Sequence, residues 1–254
     1  MKGNILFRNL VSASVTATLV IGALLLLSLV SPKSAHGDVW SDDFNDNELS
    51  PNWHIYKLGS GALVSETLGR LEVVLKQEGT GNPFLGGIGA RPSKYVTYSS
   101  EFTAEVAYAL QRWPMPVNGV RVGLVANIMD RKGVVVKVFA IERINDPDYC
   151  SETDSDCDAY AIDVWDGVHP NVRKYVKTNN ISGKLMIQRV LRNENVQMIL
   201  SYAGPTGRYR QLFKELATDA DMGRVRLTLQ VWAHDWKYTG PAKVAFDNFS
   251  AISW

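Results

Sequence analysis

The chain has 254 residues and carries 27 Lys and Arg against 26 Asp and Glu, so no global field draws it to nucleic acid or to an acidic membrane surface. With residues 1–37 set aside as a targeting segment, residues 38–254 are long enough for a substantial core and suit one all-β domain. Seven Trp and ten Tyr serve β-sandwich cores and sugar-stacking platforms alike, so composition leaves both uses open.

Lys2 and Arg8 precede an uncharged stretch from Leu10 to Val30, most apolar from Leu19 to Leu29, and Ser31, Pro32 and Lys33 follow it. This is the layout of a signal peptide, with Ala35 and Gly37 as the small residues before a cleavage point at Asp38. The competing reading is an uncleaved anchor, because the stretch can just span a bilayer, although Ser12, Ser14, Thr16 and Thr18 dilute it. Either way the expectation is an exported protein, extracellular, periplasmic or on the cell surface, that meets a membrane only through this segment.

Beyond it, short runs of Val, Ile, Thr and aromatic residues alternate with Gly, Asn, Asp and Pro. Strands are expected over residues 70–76, 96–110, 120–129, 134–141, 160–165, 172–177, 184–192, 196–202, 208–213, 225–232 and 243–252. Their number and spacing predict an all-β, two-sheet antiparallel β-sandwich. In the 225–232 strand, Val225, Leu227, Leu229 and Val231 share one face while Arg226, Thr228, Gln230 and Trp232 share the other. Arg121 and Asn127 likewise share a face opposite Val122, Leu124, Ala126 and Ile128. Asn193-Glu194 reads as a hairpin turn, and Gly204-Pro205-Thr206-Gly207 as the next reversal.

Three segments together resemble concanavalin A-like lectin/glucanase jelly rolls (LamG-like) of noncatalytic, secreted bacterial type. They are Asp42-Asp43-Phe44-Asn45-Asp46 with Leu49, Pro51 and Trp53; Leu71-Glu72-Val73 with Gly183 to Arg189; and the closing Val244-Ala245-Phe246-Asp247-Asn248-Phe249-Ser250. The resemblance implies a jelly roll whose polar sheet face binds an extracellular or envelope glycan. It also implies a structural calcium where the N-terminal segment meets the last strand, with Asp247 at the matching position and Asp43 or Asn45 as companions. Val244 and Phe246 alternate but Phe249 and Ile252 break the period, which puts Asp247-Asn248 at a bulge or rim.

Glucanases of this type carry Glu-x-Asp-x-x-Glu on one strand, because residues two apart share a face and a retaining pair must stand about 5 Å apart. No such motif occurs. Glu152, Asp154 and Asp156 lie among turn formers, Asp163 and Asp166 fall on opposite faces, and His54, His169 and His234 are scattered. Glycoside hydrolysis is therefore the least favoured function, behind carbohydrate binding or adhesion and a structural or protein-interaction role in the envelope.

Cys150 and Cys157, the two cysteines of an exported chain, are expected to pair. Six acidic residues crowd positions 146–158, and Asp154-x-Asp156-x-Asp158 begins a calcium-loop spacing. Ala159 and Trp165 stand where that loop needs Gly and Glu, so a solvated acidic loop fits better. The sugar platform is expected on Arg121, Asn127, Arg226, Gln230 and Trp232, with Trp113, Trp165, Trp236 and Tyr238 as rim contacts; packing under loops is the alternative use of these aromatics.

Overall fold

A computed structural model describes residues 38–59, 61–76, 84–113, 119–146, 149–150, 157–168, 171–192, 195–217, 222–233 and 241–254. Residues 1–37, expected to be a targeting segment, Trp236, Tyr238, and the acidic residues Asp148, Glu152, Asp154 and Asp156 lie outside them. The described strands are β1 (Asp38–Asp42), β2 (Trp53–Leu58), β3 (Ala62–Glu66), β4 (Leu71–Leu75), β5 (Phe84–Ala90), β6 (Val96–Thr97), β7 (Phe102–Arg112), β8 (Val120–Asp130), β9 (Val135–Asn145), β10 (Asp158–Trp165), β11 (Val172–Lys177), β12 (Ser182–Arg192), β13 (Asn195–Ala203), β14 (Tyr209–Leu216), β15 (Met222–Ala233) and β16 (Ala242–Ser253).

They form two antiparallel sheets packed face to face. One runs β14-β13-β12-β7-β16-β4-β3 with β1 also on β16; the other runs β11-β10-β9-β8-β15-β5-β2 with β6 also on β15. The two-sheet sandwich expected from the sequence is thus present. Its core is the inward set of each strand: Val225, Leu227, Leu229 and Val231 of β15 are fully buried, and so are Phe102, Ala104 and Val106 of β7. Each Val, Leu or Phe buried in this way contributes roughly 1.5–3 kcal/mol.

The opening motif has a physical role in this packing. One Asp42 oxygen accepts the Phe44 backbone N–H at 2.9 Å and the other accepts the Trp53 indole N–H at 2.9 Å. That pins Trp53 against Trp40 and Phe249, with ring centroids at 4.6 and 5.0 Å, and so ties the start of the domain to its last strand. The register of β16 against β7 shifts between Asp247 and Ser250, with Asn248 at φ +49°, which is the bulge its broken period implies.

The strand expected over residues 96–110 is two strands. Ser100 N–H closes on the Thr97 carbonyl and the buried Arg189 donates to the Ser99 and Ser100 carbonyls, which folds the chain back between β6 and β7. β1, β2, β3 and β5 were not expected. β5 is rich in glycine, and a Cβ on Gly87 would stand 2.2 Å from the Leu229 carbonyl and 2.8 Å from Tyr56 Oη. A central strand covered so closely admits only glycine there.

Candidate functional site

The site is built by register across the outer face of the β11–β2 sheet. Arg226, Thr228, Gln230 and Trp232 of β15 oppose Asn127, Val125, Gly123 and Arg121 of β8. Those in turn oppose Val138, Ala140, Glu142 and Ile144 of β9, and then Trp165, Asp163, Ala161 and Ala159 of β10. The alternation legible in two strands therefore extends over four.

A groove of about 260 Å³ lies on this face, with Trp165, Trp232 and Leu85 as apolar walls and Gln230, Asn171 and Asp163 as polar ones. Its floor is short-chained: Val125, Val138 and Ala140. Gly123 keeps the middle low, because a Cβ there would stand 3.1 Å from the Glu142 side chain. Trp165 is 40% exposed, so a large aromatic ring faces water at the rim.

One end of the face is covered. Cys150 and Cys157 form a disulfide, and with Tyr149 they pack on Ile144, Ala159 and Ala161 as a small second core. Beneath that cover Arg121 is 2% exposed, and its guanidinium lies over the Trp232 and Tyr149 rings, 4.3 and 4.9 Å from their centroids. It donates to Asp146 at 2.6 and 2.8 Å, and one of its nitrogens stands 3.6 Å from both Glu142 and Asp163. Burial works against its charge, but Glu142, Asp146 and Asp163 outweigh burial and hold it protonated more firmly than usual. Burial pushes the Glu142 carboxyl above the ordinary range despite Arg121 beside it, and Trp232 donates its indole N–H to that carboxyl at 3.3 Å.

The sequence matches no protein-family model and no curated protein. Solved structures do resemble the fold. An endo-1,3-beta-glucanase from Streptomyces sioyaensis superposes with a TM-score of 0.60 at 11% identity, covering 88% of this chain and 98% of that one. The carbohydrate recognition domain of Emp47p gives 0.56 at 10% identity, covering 88% and 99%. The Bauhinia forficata lectin in complex with GalNAc gives 0.55 at 10% identity, covering 86% and 98%. The chain has the concanavalin A-like lectin/glucanase fold.

In this concanavalin A-like jelly roll the expected platform residues divide. Gln230, Trp232 and Trp165 line the groove, with Gln230 held by the Tyr56 hydroxyl at 3.2 Å. Arg121 borders the groove from beneath, committed to three carboxylates. Asn127 shares the face but its amide donates to Thr228 Oγ1 at 2.6 Å, and Arg226 stands half-buried beside it. Trp113 is not brought to the groove; it is half-buried against the core, donates to Asp158 at 3.1 Å and stands over Arg143.

Of the expected metal residues, Asp43 shares a hollow with Asn248, the chain neighbour of Asp247. Asp43 borders a hollow with Asp42 and Glu105, while one of its oxygens accepts the Asn45 backbone N–H. The Asn45 side-chain oxygen lies over Gly69, and Asp247 sits half-buried opposite Ala107. Among the described residues no three Asp, Glu, His or Cys are placed to share a cation. At the ends of the acidic loop, Asp146 is paired with Arg121 and Asp158 with Arg143 at 2.8 Å.

Glu142, Asp146, Asp163 and Tyr149 were missed as a group. The usable signal was each lone carboxylate in an apolar strand, Glu142 in Val138 to Ile144 and Asp163 in Tyr160 to Val164, since such a charge needs a partner across the sheet.

Proposed function

We propose that this is an exported, noncatalytic carbohydrate-binding domain whose sugar platform is the groove between Trp165 and Trp232. The observation that carries the reading is a short-floored groove on the polar sheet face with an exposed Trp at its rim and polar side chains beside it. Sugar rings offer CH-rich faces to aromatics and hydroxyls to amides and carboxylates, so Trp165 supplies stacking while Gln230, Asn171 and Asp163 supply directional bonds.

Arg121 stands against catalysis in this reading. Hydrolysis needs a protonated carboxyl and a second carboxylate, both reaching the glycosidic bond. Glu142 has the raised proton affinity and Asp163 is near, but Arg121 stands 3.6 Å from an oxygen of each, where it holds them to itself. Export is supported by the Cys150–Cys157 disulfide, because such bonds persist in oxidising compartments.

The test is a glycan array with the purified chain, scored beside an assay for new reducing ends. Retention on a defined glycan without cleavage supports the reading. Retention on none contradicts binding, and reducing ends lost in Glu142→Gln contradict the noncatalytic assignment.

A further inference from the structure

A second pocket lies away from the groove, where the two sheets part at their β11 and β14 edges. Lys174 of β11 stands 5.3 Å from the ring centroid of Phe213 on β14, which brings the two edge strands side by side. The pocket between them is about 240 Å³. That is below the roughly 300–1,000 Å³ of drug-sized ligand sites, so it suits one substituted sugar or a single charged group.

Its floor is rigid. Tyr160 and Tyr202 stack at 4.1 Å, and the Tyr160 hydroxyl donates to the Ala203 carbonyl and accepts from Tyr108. Its wall is braced as well: the buried Arg143 donates to the Asn180 carbonyl at 3.0 Å and to the Thr178 carbonyl at 3.3 Å. Gly204 lets the wall close, because a Cβ there would stand 2.6 Å from the Asn180 amide nitrogen.

The charge lining this pocket has one sign. Lys177, Arg208 and Arg210 border it, and among the described residues no carboxylate does. The two facing segments, residues 171–180 and 203–214, hold Arg173, Lys174, Lys177, Arg208, Arg210 and Lys214 and no Asp or Glu, although the chain as a whole has 27 Lys and Arg against 26 Asp and Glu. Arg208 and Arg210 have no carboxylate partner among the described residues. Both are exposed, so they bind an anion without first surrendering an ion pair.

We propose that this pocket is a second binding site that takes the anionic substituent of a polyanionic glycan, a sulfate, phosphate or carboxylate. The polymer continues along the β11/β14 edge past Lys174 and Lys214. Guanidinium forks match oxyanion geometry, and the two of Arg208 and Arg210 hold one such group from two sides. A nucleic acid fits less well: the pocket's two rings stack on one another and are buried, leaving no face for a base. The site does not depend on the groove, so either can fail alone.

The experiment measures retention of the purified full chain on dextran sulfate, polygalacturonate, phosphorylated dextran and plain dextran, at about 50 and 200 mM salt. The arms separate sulfate, carboxylate and phosphate as the recognised group. Expected is salt-sensitive retention on at least one charged polymer. It falls about tenfold or more in Arg208→Ala/Arg210→Ala, persists largely in Arg208→Lys/Arg210→Lys, and is unchanged in Trp165→Ala. The lysine variant keeps the charge, so a loss confined to the alanine variant is not a folding effect when both melt alike. No retention on any charged polymer, equal retention by the alanine variant, or duplex DNA held as tightly as the charged glycan overturns the proposal.

Discussion

The guanidinium carbon of Arg121 lies 4.3 Å from the ring centroid of Trp232, so the groove's inner aromatic wall rests on a buried cation. That cation in turn pairs with Asp146 and stands near Glu142 and Asp163. The wall, the salt-bridge cluster and the disulfide-covered end are consequently one mechanical unit.

Removing the cation leaves buried carboxylates unpaired. Arg121→Met is expected to lower stability by about 3–5 kcal/mol in urea unfolding, the usual effect of breaking a buried ion pair from one side. Arg121→Lys keeps the charge but not the fork to Asp146, and falls between. A loss in Arg121→Met below about 1 kcal/mol places the cluster among surface pairs and removes it as the brace.

Part of this unit was legible in the sequence. Alternation in β15 and β8 gives the correct faces, because successive side chains of a strand point to opposite sides; Val225, Leu227, Leu229 and Val231 are core, whereas in β8 the outer-face Arg121 and Val125 are buried as well. The jelly-roll termini are legible in Asp42 and Trp53, whose side chains close a local turn. What could not be read is pairing across strands: Arg121, Glu142, Asp146 and Asp163 meet only through the β8–β9–β10 register, which no local pattern encodes. β5 was hidden for the opposite reason, since its glycines serve close packing by Tyr56 and Leu229 and look like turn chemistry.

The disulfide is expected to act locally. Cys150→Ser/Cys157→Ser opens a loop with a sequence separation of 7, and its closure contributes about 2–3 kcal/mol in the chain-entropy account. Faster amide exchange confined to Tyr149, Ile144, Ala159 and Ala161 checks the claim. Exchange that rises uniformly over both sheets contradicts it.

Stability should fall as pH rises toward neutrality because of Glu66. Burial first, and then the neighbouring Asp46 carboxylate, push Glu66 up from 4.5 to about 7. The folded state therefore keeps a proton that the unfolded chain has lost, so stability declines between these values and levels off above the higher one. Glu66→Gln is expected to raise the melting temperature more at pH 8 than at pH 5 relative to the parent chain. An equal shift at both pH values contradicts the assignment.

Gly87→Ala tests the packing of β5. Its Cβ would meet a backbone carbonyl at 2.2 Å, which no rotamer change relieves. Overpacking of this kind costs about 1–3 kcal/mol, read from the shift in the unfolding midpoint. An unchanged midpoint contradicts the close approach of β5 and β15.

The central claim is that the groove between Trp165 and Trp232 binds sugar, and calorimetric titration of the parent chain and Trp165→Ala with a glycan selected from an array tests it most directly. Trp165 is 40% exposed, so its removal leaves the core intact. The account predicts saturable binding by the parent and a loss of about tenfold or more in Trp165→Ala at an unchanged melting temperature. Equal affinity in the two proteins contradicts it.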